Sequence, residues 1–144
     1  MENMHTSSES LRTVNSLIQK IEGVCKDIEK NLAMCLDLTT DSVAQYSITT
    51  ANKVESDFVN VIVDNITKIK LHLGDLRKAL NKKVISDMQA INDIITSLQE
   101  TSGILQAFLL SNNFFNNTFQ LPVMEIQAAI DQIYEEVSIF EYAT

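Results

Sequence analysis

The sequence is poor in the residues that tight turns, metal sites and acid–base catalysis use. Its 144 residues include three glycines, one proline, two histidines and no tryptophan. Sandwiches and barrels need many tight turns, which use glycine and proline, so the composition argues against strand-rich folds. Two histidines leave little material for a metal centre or for histidine-based catalysis. No apolar run approaches the ~18 residues of a membrane span.

Acidic residues outnumber basic ones, 19 to 11, and the formal net charge is −8. This balance disfavours nucleic acid and anionic lipid as partners, because their phosphates attract lysine and arginine. Residues 111–144 contribute five acidic residues and no basic one. This segment is either a solvated helix face or a docking face for a basic partner.

The N-terminus lacks the basic and apolar regions of a secretory signal, so we predict a cytoplasmic protein, or a secreted one if a signal peptide was removed. Cys25 and Cys35 lie in one predicted helix, about 15 Å apart along its axis. That separation is too large for a disulfide between them. We therefore expect two reduced thiols in the core rather than an intermolecular disulfide or a pair of zinc ligands.

Apolar residues recur at alternating steps of three and four along four segments, which is the heptad spacing typical of packed helices. The predicted helices span about 8–36, 41–80, 84–110 and 122–142, after an N-terminal stretch, 1–7, that we expect to fray. Residues 37–51 interrupt the apolar pattern and form either the start of the second helix or a looser connection.

Four amphipathic helices with short connections predict an all-α, single-domain, antiparallel (up-and-down) four-helix bundle over residues 1–144. In that topology, the basic residues between 68 and 83 lie at the same end as the acidic end of the fourth helix, so we expect opposite charges to meet there. The isoleucines predicted to lie in the core are Ile18, Ile21, Ile28, Ile66, Ile69, Ile91, Ile95, Ile130 and Ile133.

Four of the six phenylalanines lie around the predicted connection between the third and fourth helices. Rings at this place can dock a partner protein, line the mouth of an apolar pocket or cap the open end of the bundle. Asparagines on both sides of Phe114 and Phe115 favour an exposed tip, because a buried tip would have to satisfy their amides. The candidate binding residues are Phe108, Phe114, Phe115, Phe119 and Leu121.

No catalytic, metal-binding or cofactor-binding set is predicted. The glycines stand alone, so no phosphate-binding loop is present, and the Glu-x-x-His pair of Glu2 and His5 falls in the N-terminal stretch. We predict a non-enzymatic helical-bundle module for protein–protein interaction or assembly, with self-association as one form of it. The alternative is a carrier that holds a fatty acid or lipid between its helices, since core packing and cavity lining use the same residue types.

Overall fold

The computed structural model describes residues 2–35, 53–81, 88–111 and 119–143, with side chains for 9–33, 58–81, 88–111 and 119–138. Every element of this part of the chain is an α-helix, and no strand occurs in it, as the composition predicts. The helices are α1 (Glu2–Cys35), α2 (Lys53–Leu80), α3 (Met88–Ser111) and α4 (Gln120–Ala143).

The first helix begins at Glu2, whereas the sequence predicts a start near residue 8. The N-terminal stretch expected to fray is therefore helical from residue 2. Residues 2–8 contain neither glycine nor proline, so nothing in the local sequence ends the helix there. At the other end of the chain, α4 begins at Gln120, and Pro122 lies in its first turn. Proline is tolerated in a first turn because the backbone N–H groups there have no acceptor within the helix.

Two predicted boundaries fall in gaps between the described segments. The second helix is described from Lys53 and the third from Met88, so the predicted starts near 41 and 84 and the segment 37–51 lie outside the described residues.

The four helices pack as a bundle in which each helix has two neighbours. Helix α1 contacts α2 and α4, and α3 also contacts α2 and α4. In the described segments, α1 makes no contact with α3, and α2 makes no contact with α4. The contact between α1 and α4 is the most extensive, and that between α1 and α2 is the least extensive.

One cluster of buried apolar side chains extends through all four helices and forms the core. All nine isoleucines that the apolar spacing places in the core are buried. The core also contains polar side chains that bond within their own helices, such as Asn65, whose Nδ2 donates to the carbonyl of Val61 at 2.7 Å. Because these groups are satisfied locally, they need no partner from another helix.

Candidate functional site

The ends of α3 and α4 that flank residues 112–118 are joined by a hydrogen bond. Gln120 Nε2 donates to the carbonyl oxygen of Leu109 over 3.4 Å. The bond brings the next residues along each helix, Leu110 and Leu121, to the same end of the bundle, and both side chains are 64% exposed. Met124, one helical turn beyond Leu121, is 51% exposed. We call Leu110, Leu121 and Met124 the end patch.

The candidate binding residues do not all occupy the same kind of environment. Leu121 is exposed, whereas Phe119 is buried at 2% exposure. Phe108 is half-buried against the core and packs on Phe58 of α2, with ring centroids 5.4 Å apart and ring planes inclined by 40°. These two phenylalanines therefore help to close the core at this end. Phe114 and Phe115 lie outside the described residues, and their role in binding stays a prediction.

Sequence reasoning missed Leu110 and Met124, although the sequence contains the signal that identifies them. Each of them is an apolar residue that directly follows a buried position of its helix, Leu109 or Val123, and so falls outside the buried stripe. A large apolar residue outside the stripe of an amphipathic helix is expected to face solvent. A search for such residues would have extended the candidate site from the loop onto both helices.

A surface cleft of about 180 Å³ lies between α3 and α4. Its lining residues are Gln99, Ser102, Gln127, Ile130 and Asp131. The Ser102 hydroxyl is buried and donates to the carbonyl of Gln99 at 3.1 Å. Sites for lipid-sized ligands are usually ~300–1,000 Å³ and lined mainly by apolar side chains. This cleft is smaller and mostly polar, so it does not favour the carrier interpretation, which stays a prediction.

Among the described side chains, two ion pairs join α1 to α2. Arg77 donates to both carboxylate oxygens of Glu22, at 2.9 and 2.7 Å, and Lys70 pairs with Glu29. The hydrogen bond to Glu22 raises the pKa of Arg77. The expected meeting of the basic cluster with the acidic end of α4 is not found among the described side chains. The reason is the order of the helices, because α2 contacts α1 and α3 but not α4.

The thiol of Cys25 is free and fully buried in the core. Burial raises the pKa of Cys25 to about 12, an effect that the neighbouring carboxylates of Glu29 and Glu22 reinforce and Lys70 opposes. The thiol is therefore protonated and poorly reactive at neutral pH. The side chain of Cys35 lies outside the described residues.

Comparison with protein-family models, curated proteins and solved structures finds no match for this chain. Within the described segments, no group of three or more histidine, cysteine, aspartate or glutamate side chains is placed to hold a metal ion. None of the described helices combines the length and hydropathy needed to cross a membrane.

Proposed function

We propose that the protein is a non-enzymatic helical-bundle module that binds another protein chain, either a different protein or a second copy of itself. The observation that carries this proposal is the end patch, in which three large apolar side chains are each at least half exposed at one end of the bundle. Apolar surface gathered in one place marks a contact surface more often than scattered exposed residues do. Phe114 and Phe115 lie in the sequence that connects the two halves of the patch.

We infer further that successive helices run in opposite directions, so that the α3–α4 connection forms one tip of an up-and-down bundle. The two ion pairs between α1 and α2 support this. From Glu22 to Glu29 the position along α1 advances by seven residues. From Arg77 to Lys70 the position along α2 goes back by seven residues.

Contacts of the other helices support the same directions. Phe58, near the start of α2, packs on Phe108, near the end of α3. Gln120, the first residue of α4, bonds to Leu109, near the end of α3. A heptad arrangement is supported by six of the seven buried positions of α3, which alternate between steps of four and three, whereas the seventh, Thr101, falls outside the alternation. The six are Ile91, Ile95, Leu98, Ser102, Leu105 and Leu109.

Site-specific photo-crosslinking in cells tests the function. Leu121→p-benzoylphenylalanine places a photoreactive ring in the end patch, and Leu71→p-benzoylphenylalanine on α2 is the matched control, because both leucines are 64% exposed. We expect irradiation to give a discrete adduct of higher mass from position 121 and none from position 71. Mass spectrometry of the adduct then identifies the partner as a second copy or a different protein. No adduct at 121, or the same adducts from both positions, would contradict the proposal.

Sedimentation velocity of the purified protein separates the two kinds of partner. If the partner is a second copy, the sedimentation coefficient rises with concentration, and Leu110→Ser combined with Leu121→Ser abolishes the rise. The melting temperature should stay within a few degrees of wild type, because substitutions at exposed positions usually change stability by less than ~0.5 kcal/mol. Leu71→Ser is the control and should leave the rise intact.

A further inference from the structure

The net charge of the protein arises entirely in its second half. Residues 1–83 contain 11 acidic and 11 basic residues, so their formal charges cancel. Residues 84–144 contain eight acidic residues and no lysine, arginine or histidine. Helices α3 and α4 lie within this second half, so no carboxylate on either helix has a cation on its own helix or on the other.

The described ion pairs show the same division. Both of them join α1 to α2, and both use carboxylates of α1. On α3 and α4, by contrast, Glu100, Asp131 and Glu135 are exposed and form no ion pair with another described side chain. Asp131 and Glu135 are four residues apart on α4, a spacing at which like charges repel each other. A cation from outside the chain would relieve that repulsion.

Exposed apolar side chains are concentrated on the same two helices. Apart from Leu71 on α2, the large apolar residues that are at least half exposed in the described segments all belong to α3 or α4. They are Ile104, Leu110, Leu121, Met124 and Tyr134. Unpaired negative charge and exposed apolar surface therefore occur together on the outer side of the α3–α4 pair, while α1 and the rest of α2 carry neither in excess.

The cleft between α3 and α4 adds hydrogen-bond acceptors to this surface. Asp131 supplies a carboxylate at the cleft, and Gln99 and Gln127 supply amide oxygens. These groups are acceptors for the N–H groups of an ammonium or a guanidinium.

We propose that the outer surface of α3 and α4, comprising the end patch, the cleft, Asp131 and Glu135, binds a cationic amphipathic helix of a partner protein. In this complex, apolar side chains of the partner contact the end patch, and its lysines or arginines pair with Asp131 and Glu135. Leu121 and Glu135 are 14 residues apart, which is about 21 Å along the axis of α4 and equals about four turns of a partner helix. Opposite charges select the partner and apolar contact holds it, as in other helix-in-groove complexes. The inference rests on the proposed function and names the chemistry of the partner.

A second copy of the chain is the less complementary occupant. The exposed face of α2 presents Leu71 between two lysines, Lys68 and Lys78. Asp64 and Asp75 lie on the same face, however, at helical spacing from the lysines. The charges on this face of α2 therefore cancel. The α3–α4 surface has a net negative charge, so a partner surface with net positive charge is more complementary to it than this face is.

Binding of designed peptides to the full-length protein, followed by fluorescence anisotropy, tests the proposal. The probe is a fluorescein-labelled peptide of leucine and lysine, about 15 residues long, with its leucines at helical spacing. Two control peptides have glutamate in place of lysine, or the same leucines and lysines in an order that removes the apolar face. We expect saturable binding of the amphipathic lysine peptide alone, weakened by added salt because charge pairing contributes to it.

Variants of the protein place the binding site. Asp131→Asn combined with Glu135→Gln should weaken binding at least about tenfold. The matched control, Asp27→Asn combined with Asp64→Asn, removes two exposed carboxylates from α1 and α2 and changes the net charge equally, and it should weaken binding less than about threefold. Leu121→Ser should also weaken binding, whereas the equally exposed Leu71→Ser should not.

Several results would overturn the proposal. Equal losses in the two pairs of charge variants would show that only the net charge of the protein attracts the peptide. Binding of the glutamate peptide, equal binding of the peptide without an apolar face, or insensitivity to salt would show that a cationic amphipathic helix is not the preferred ligand. A homodimer that dissociates on Asp131→Asn with Glu135→Gln would assign the surface to a second copy, and the interaction function would still hold. Absence of any adduct from position 121, with peptide binding intact, would instead count against the proposed function.

Discussion

Replacement of Ile21 by alanine tests how α1 packs in the bundle. The side chain is fully buried, and the substitution removes three of its carbon atoms. At about 0.8 kcal/mol for each buried carbon, the lost transfer free energy is about 2.4 kcal/mol. The cavity left behind adds about 1 kcal/mol, and the higher helix propensity of alanine returns about 0.4 kcal/mol. The expected loss of about 3 kcal/mol is a large part of the ~5–15 kcal/mol that stabilises a domain of this size.

Urea unfolding followed by circular dichroism measures this loss. With a urea dependence of about 1–3 kcal/mol per molar, the midpoint should fall by roughly 1–3 M while the slope stays unchanged. Gln19→Ala is the control on the same helix, because Gln19 is exposed, and it should change the stability by less than ~0.5 kcal/mol. A loss for Ile21→Ala below about 1 kcal/mol, or equal to that of the control, would refute the assignment of Ile21 to a packed core.

Three further predictions concern the thiol, the ion pairs and the loop. Burial raises the pKa of Cys25 from 9.0 to about 12, so the thiol ionises in the unfolded chain at a lower pH than in the folded protein. The free energy of unfolding should therefore fall between about pH 9 and 12, and Cys25→Ala should lessen that fall. Identical pH profiles for the two proteins would contradict this. A double-mutant cycle of Glu22→Gln and Arg77→Gln should give a coupling free energy of about 0.5–1 kcal/mol, because the side chains of Glu22 and Arg77 are 38% and 36% exposed. A coupling of zero would mean that the ion pair does not stabilise the protein in solution. Phe114→Ser combined with Phe115→Ser should abolish association, a loss of about 2 kcal/mol or more in binding free energy, without lowering the melting temperature. A lower melting temperature with unchanged association would mean that the rings only cap the core. Loss of dye binding alone would favour the carrier.

The candidate site was only partly predictable from the sequence, for a physical reason that its residues illustrate. Phe108 and Phe119 have the same side chain as Phe114 and Phe115 and lie in the same part of the chain. Phe119 is nevertheless buried, and Phe108 packs on Phe58, a residue 50 positions earlier in the sequence. The exposure of an aromatic ring near a helix end depends on what the neighbouring helices place over it. Local composition alone does not specify those neighbours.

The sequence by itself determined the class of the structure and the core positions, because the spacing of apolar residues along a helix is a local property. It also contained the charge division at residue 83, although that division gains meaning only when α3 and α4 prove to be neighbours. The tertiary structure alone decided which charges meet. Arg77 pairs with Glu22 rather than with the acidic end of α4, because α2 lies beside α1 and diagonal to α4. The periodicity of apolar residues indicates which face of a helix is buried. Only the packing of the four helices determines which helix covers that face.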